Sequence, residues 1–340
     1  MRQPAMFWEK NEGEDVRCFL CAHNCRIKPE KFGICGVRQN LQGKLYSLVY
    51  GEPIAAHLDP IEKKPLYHFL PGSSSYSVAT VGCNFRCGFC QNWQISQLDK
   101  KAARAEGVPA VTPEEIIEQA LFYNAASISY TYTEPTIFFE YAYDIAQLAH
   151  EKGLANIFVT NGFMGQQALE KIQPFLNAAN VDLKSFNPEF YRRHCSARLE
   201  PVLDTIRRMK KMDIWVELTT LVIPGLNDSE KELNQIAAFI AQVDRHMPWH
   251  ISRFHPDYHF NDYAATPVPT LHRAKQIGEQ HGLKYIYIGN VADKSDTVCP
   301  QCGKTIIQRP ISRNRPPALD EHACPQCQMP IVGVWELNND

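Results

Sequence analysis

The stretch Cys83-Asn84-Phe85-Arg86-Cys87-Gly88-Phe89-Cys90 constrains this chain more than any other. It places three thiols, with three and then two residues between them, directly after the apolar run Tyr76 to Gly82. Iron–sulfur clusters are normally held by four Cys thiolates, so three in one short loop leave one iron of a [4Fe–4S] cluster without a protein ligand. That iron is open to a small molecule. The competing reading is a structural zinc loop, but zinc there takes four protein ligands, usually drawn from paired CxxC knuckles.

From residue 76 the chain alternates two patterns. Strands are expected at Tyr76–Gly82, Ser127–Tyr132, Ala155–Thr160, Asn180–Lys184, Ile214–Ile223, Trp249–Phe254 and Lys284–Gly289. Helical segments lie between them. Thr112-Pro113-Glu114-Glu115 is a capping box with Pro at the first helical position. Pro135 opens a helix closed by Gly153, and Asn187-Pro188, Asp228-Ser229 and Thr270 start three more, the last ending at His281-Gly282. Such alternation implies βαβ units with right-handed crossovers and a parallel sheet. The expected class is α/β, a partial (β/α)6-type, TIM-like barrel. Barrels of this kind carry their chemistry in loops at the C-terminal ends of strands. Cys83 to Cys90, Thr133-Glu134-Pro135, Asn161-Gly162, Asp182 to Lys184, Pro224-Gly225 and His255 all fall at such ends.

The other cysteines are grouped too. Of the twelve, four fall at Cys18, Cys21, Cys25 and Cys35, four at Cys299, Cys302, Cys324 and Cys327, and Cys195 stands alone. Residues 1–45 read as a Cys-rich metal-binding module, too short and polar to fold around an apolar core, with metal supplying stability. Its four thiols suit tetrahedral zinc, the favoured reading, or an auxiliary iron–sulfur cluster, and spacing alone does not settle which. Residues 46–75 read as an extended linker whose Lys63-Lys64 pair suits an anionic ligand or simply faces water. The barrel takes 76–292, and the knuckles of 293–340 read as a zinc-ribbon-like module.

With a formal charge of −2 the chain carries no global footprint for nucleic acid. Lys304, Arg309, Arg313 and Arg315 lean basic near the ribbon but lack interleaved aromatics, so nucleic-acid contact is not expected. The amino terminus has no apolar export signal and no window reaches a membrane span, which leads to an expected cytoplasmic location with thiols serving as metal ligands.

The CxxxCxxC loop, with an aromatic before its last Cys, resembles the cluster loop of the radical S-adenosylmethionine (SAM) superfamily. Over nearly its whole length the chain resembles the radical SAM enzyme of the AmmeMemoRadiSam system, a relative of pyruvate formate-lyase activating enzymes. The residues carrying this are Gly33-Ile34-Cys35-Gly36-Val37-Arg38, the run Asp59 to Gly72, Cys90-Gln91-Asn92-Trp93-Gln94-Ile95-Ser96, Tyr132-Thr133-Glu134-Pro135-Thr136, Thr160-Asn161-Gly162-Phe163, Asp182-Leu183-Lys184, Ile223 to Asp228 and the carboxy-terminal knuckles. The resemblance implies that Cys83, Cys87 and Cys90 hold the cluster, that Phe89 lies near the adenine, and that Thr133, Glu134 and Pro135 stand where SAM's amino group is received. It implies further that Asn161 and Asp182 belong to the SAM site, that Lys184 faces the SAM carboxylate, and that His255 lies near the ribose. It also moves Lys63 and Lys64 towards a functional role. Two departures stand out. Tyr132 and Thr133 replace two glycines before Glu134, and Val159 replaces an aspartate that binds a monovalent cation.

The expected reaction is reductive cleavage of SAM to a 5′-deoxyadenosyl radical that takes hydrogen from an unidentified substrate. An electron donor such as a ferredoxin or flavodoxin is implied, and Memo-like and AMMECR-like proteins are the implied functional partners. Two alternatives compete: an activase that abstracts hydrogen from a glycine of a partner protein, and a non-catalytic metal-binding scaffold or nucleic-acid module. The scaffold requires four protein ligands at every site. Cys195 is the candidate fourth ligand to the central loop, or a hydrogen donor, or an inert buried thiol.

Overall fold

The computed structural model describes residues 2–98, 110–292, 295–309 and 322–337. Its centre is a sheet of strands β1 (Ala55–Pro60), β2 (Ser74–Ala79), β3 (Ser127–Tyr130), β4 (Ala155–Thr160), β5 (Ala178–Asp182), β6 (Trp215–Val222), β7 (Trp249–Arg253) and β8 (Ile286–Gly289). The strands lie in sequence order, β2 to β8 all parallel, with β1 antiparallel on the β2 edge. The sheet is a partial barrel, because β1 and β8 end it without pairing to each other.

Helices α1 (Pro113–Phe122), α2 (Phe139–Glu151), α3 (Gln166–Ile172), α4 (Glu200–Lys211), α5 (Glu230–Val243) and α6 (Val268–Gln280) return the chain between strands. The capping box is formed as expected. Thr112 Oγ1 accepts from Glu115 N, and Glu115 Oε2 accepts from Thr112 N. Ser229 caps α5. Three starts differ from expectation. Pro135 opens a 3₁₀ turn, Pro135–Phe138, that feeds α2. The segment after Asn187 tightens into a π-helical turn, Tyr191–Cys195. Finally, α6 begins at Val268 rather than Thr270, because the extended Pro267 already sets the entry and Pro269 is tolerated in the first turn. None of the helices among the described residues is long and apolar enough to cross a membrane.

The linker reading of residues 46–75 needs correction. Besides β1, its segment after the 3₁₀ turn Ile61–Lys63 enters the sheet's interior, where Ile61, Leu66, Phe69 and Leu70 pack on Ala155, Ile157 and Ala178. Buried Glu217 of β6 anchors it, accepting from the backbone of Tyr67 (3.0 Å) and His68 (2.8 Å) and bonding His250 Nε2 at 2.6 Å. Prolines and charges hid this strand and plug in the sequence.

The amino-terminal segment is also not held by metal alone. It forms two small antiparallel sheets whose Val16, Leu20, Ile27, Val37 and Leu45 join the main core. Arg38 docks it on α2 through a buried pair with Glu140 at 2.8 Å, and Met6 contributes its backbone to both partners. At the other terminus Cys299, Cys324 and Ile331 pack on Tyr285 and Tyr287. His68 ties it to the plug, with Nδ1 2.7 Å from Val332 O and Nε2 2.6 Å from the Tyr287 hydroxyl. Arg309, grouped above with the basic residues near the ribbon, is buried and stacks over Tyr67 while donating to Ser295 O and Tyr67 O. It is a structural cation, and Arg313 and Arg315 lie outside the described residues.

Candidate active site

The loop after β2 carries Cys83, Cys87 and Cys90 over a cavity of about 390 Å³ at the C-terminal strand ends. The cavity is lined by all three thiols and Phe89, by Thr133 and Glu134 after β3, by Thr160 and Asn161 at the end of β4, and by Asp182 and Lys184 at the end of β5. The loop's path is fixed by backbone bonds. Arg86 N donates to Cys195 O at 2.9 Å, Gly88 N to His194 O at 3.1 Å, and His259 N to Gly88 O at 3.0 Å. Gly88 is required by crowding, since a Cβ there would lie 2.7 Å from the Phe260 ring. Phe89 packs on Phe190 and Phe260, at centroid distances of 5.7 and 5.5 Å.

The charged groups divide into two kinds. Glu134 is buried and its carboxylate is spent on the protein: Oε1 accepts from Thr160 Oγ1 (2.8 Å) and both donors of Thr136, and Oε2 from Asn161 N (2.8 Å). Burial raises its pKa, and these bonds partly offset the rise. Glu134 therefore braces the loops after β3 and β4 against each other. Lys184 instead turns its amine towards the thiols, 2.8 Å from Asp182 Oδ2 and 5.9 Å from the centre of the Phe89 ring. Burial opposes its charge, but Asp182, Cys87 and Cys195 hold its pKa well above the ordinary lysine value. It is a permanent cation beside the loop.

The residues present fit a [4Fe–4S] cluster. Three thiols share the cavity, and no three thiols of this loop lie within 4.8 Å of one another, so they do not surround a single ion. Asn84, next to Cys83, keeps a buried Nδ2 with no acceptor among the described residues. Cys195 is fully buried and lines no part of the cavity; its thiol meets Cys87 from behind.

Of the other expected site residues, Pro135 is buried away from the lining, and His255 is exposed and also outside it. Val159 does line the cavity, where an apolar side chain offers a cation nothing. Beside the cavity, residues of the Asp59 to Gly72 and Tyr132 to Thr136 runs join in a network that the runs alone did not show. Asp59 accepts from Lys63, Lys64 and Ser77, each at 2.7 Å, and from the Tyr132 hydroxyl. Burial alone would raise the Asp59 pKa, but these donors hold it below the usual carboxylate range. Lys64 lies under the Tyr132 ring, its pKa pushed down to about 8 by burial against the pull of Asp59. Lys63 and Tyr132 reach the cavity. Thr219, inside β6, Ser252, near the end of β7, and Asn290, just after β8, also line it.

The two terminal cysteine sets differ. The carboxy-terminal thiols all lie within 4.8 Å of one another, Cys299 to Cys327 at 3.6 Å and Cys302 to Cys324 at 3.5 Å, and can hold one metal ion. At the amino terminus Cys18, Cys21, Cys25 and Cys35 are close enough that the other three raise the Cys21 pKa by repulsion, after burial, the larger cause. No disulfide joins any of these residues.

Residues 77–237 match the radical SAM superfamily. An uncharacterized protein of Methanocaldococcus jannaschii, MJ0808, is 45% identical over 310 residues, covering 90% of this chain and 91% of that protein. The putative glycyl-radical enzyme activating enzyme MJ1227 of the same organism is 25% identical over 229 residues, covering 65% of this chain and 89% of that protein. Among solved structures, Streptococcus suis SuiB bound to S-adenosylmethionine shares the fold, with a TM-score of 0.51 at 11% identity over 68% of this chain and 53% of that chain. The three-thiol loop, the partial barrel around it and the superfamily match agree: this chain belongs to the radical SAM superfamily and is a radical SAM enzyme.

Proposed function

We propose that this enzyme binds SAM at a cluster held by Cys83, Cys87 and Cys90 and takes a hydrogen atom from a substrate seated in the same cavity. Cys83, Cys87 and Cys90 would hold this cluster, which when reduced would supply the electron for cleaving the bond between the SAM sulfonium and C5′, the chemistry that would generate the hydrogen-abstracting 5′-deoxyadenosyl radical. The single observation carrying this reading is a cavity lined by three cluster thiols and no fourth, with Cys195 behind it. The chain's own residues supply position and charge. Lys184 offers a fixed cation to the SAM carboxylate, a charge-assisted contact. Glu134 holds the Thr133 and Asn161 loops at their present separation, and Phe89 gives an apolar face for the adenine. Thr219, Ser252, Asn290 and Lys63 are left for the substrate. The carboxy-terminal thiols suit a closed zinc site with a structural role. A low-potential ferredoxin or flavodoxin fits as electron source, and association with Memo-like and AMMECR-like proteins rests on sequence resemblance.

The test is anaerobic reconstitution with iron and sulfide, reduction, and measurement of 5′-deoxyadenosine released from SAM. The wild type is expected to release it and Cys87→Ala to release none. Equal absence from both, with a cluster present, overturns the reading. Likeness to MJ1227 favours a second reading, activation of a glycyl-radical protein. A glycyl-radical signal on a candidate partner decides for that one.

A further inference from the structure

The three cysteine sets differ in a way that bears on metal identity. Four thiolates about 2.3 Å from one tetrahedral ion stand roughly 3.8 Å apart. The carboxy-terminal set meets that spacing, at 3.6 and 3.5 Å. The amino-terminal set does not. Among the described residues no three of Cys18, Cys21, Cys25 and Cys35 bring their sulfurs within 4.8 Å of one another, and in this they match the loop of Cys83, Cys87 and Cys90.

The four nonetheless surround one space. Cys18 and Cys25 are opposed on neighbouring antiparallel strands, which puts their side chains on one face. A methyl group at Gly33 would stand 3.7 Å from Cys35 Sγ and 3.9 Å from Cys25 Sγ, with Ile27 Cδ1 at 3.4 Å, so these two sulfurs face one space beside Gly33. Cys21 lies in the turn that joins these two strands, where Asn24 N donates to its carbonyl oxygen at 3.2 Å. Thiolates that each bind a different iron of a cube stand farther apart than four thiolates on one ion, and a closed cube takes four of them.

We infer that Cys18, Cys21, Cys25 and Cys35 hold a second, fully thiolate-ligated iron–sulfur cluster in place of the zinc that their sequence spacing favours. Its neighbour is the Cys83 loop itself. His23 Nε2 donates to Asn84 O at 2.8 Å, and the Arg86 guanidinium donates to Ile34 O. Gly82 passes so close that a Cβ would lie 2.7 Å from Val37 Cγ1 and 3.0 Å from Cys35 O. Zinc is redox-silent, whereas a cluster here gives the molecule a second one-electron centre on a loop touching the first. The metal's identity follows from thiol spacing and does not depend on the reaction proposed above.

The experiment counts iron, sulfide and zinc per chain after anaerobic reconstitution with ferrous iron and sulfide and removal of unbound metal. The wild type is expected to hold about eight irons and one zinc, and the triple variant Cys83→Ala, Cys87→Ala, Cys90→Ala about four irons with a cluster signal in electron paramagnetic resonance on reduction. Adding Cys18→Ala and Cys25→Ala to the triple variant is expected to remove that iron and signal. A wild type with about four irons and two zincs overturns the inference whether or not the variants fold, as does a triple variant without iron.

Discussion

The two terminal cysteine sets each offer four thiols to metal, but they are built differently. The carboxy-terminal four close to single-ion distance on two knuckles and pack on Tyr285 and Tyr287, away from the cavity. The amino-terminal four are set wider, on small sheets that share the main core and touch the cluster loop. The difference teaches that ligand count alone does not fix a metal: the spacing imposed by the surrounding backbone does. The carboxy-terminal set belongs to the framework, whereas the amino-terminal set adjoins the reactive loop.

Breaking the carboxy-terminal set is expected to have the largest effect on folding and the least on the cavity. Structural zinc sites contribute on the order of 10 kcal/mol. If the site holds such an ion, Cys324→Ser should lose the bound metal and melt the residues around these four thiols, followed by metal analysis and proteolysis, while SAM still binds. Failure of SAM binding in protein whose barrel remains folded would contradict the division.

Next comes Glu140→Ala, which strands the buried Arg38 guanidinium and undocks the amino-terminal set from α2. Breaking such a pair costs about 3–5 kcal/mol, readable by denaturant unfolding. A change below about 1 kcal/mol would mean the module is held elsewhere.

His68 sharpens the same contrast through pH. Burial pushes its pKa from 6.5 down to about 4, so between those values the unfolded chain takes up a proton that the folded chain refuses. Its contribution to stability is full above pH 6.5 and is lost as pH falls towards 4, by up to about 3 kcal/mol. His68→Gln should flatten the stability profile over that window. Parallel profiles for variant and wild type would contradict the assignment.

The smallest effect lies in the cavity between the sets. Lys184→Ala should weaken SAM binding by about 2 kcal/mol, roughly 30-fold, without changing the iron count. Unchanged affinity would remove Lys184 from the SAM site.

Much of this was legible before any coordinates. The three thiols, the strands and the Thr112 capping box announce themselves because each is a local pattern whose physics is complete within a few residues. What stayed hidden depends on distant partners. The strand Ala55–Pro60 exists because β2 pairs with it, and its own Asp59-Pro60 end argues for a loop. Helix α4 begins at Glu200 after Leu199, which gives no side-chain cap, and α3 begins after Gly165, so neither carries a strong start signal. The partnership of Asp59, Lys64 and Tyr132 spans 73 residues and could not be read from Lys63-Lys64 alone. Cys195 gave no sign that a π-helical turn would press it against Cys87. Spacing along the chain left zinc and cluster open at the amino terminus; spacing in space separates the two terminal sets.

The most direct measurement of the central claim, one open three-thiol site between two closed four-thiol sites, is electron paramagnetic resonance of the reduced protein with and without SAM. SAM is expected to shift the signal lost in the Cys83→Ala, Cys87→Ala, Cys90→Ala variant and to leave the remaining cluster signal unmoved. A SAM-dependent shift that survives in that variant, or no shift in the wild type, would contradict it.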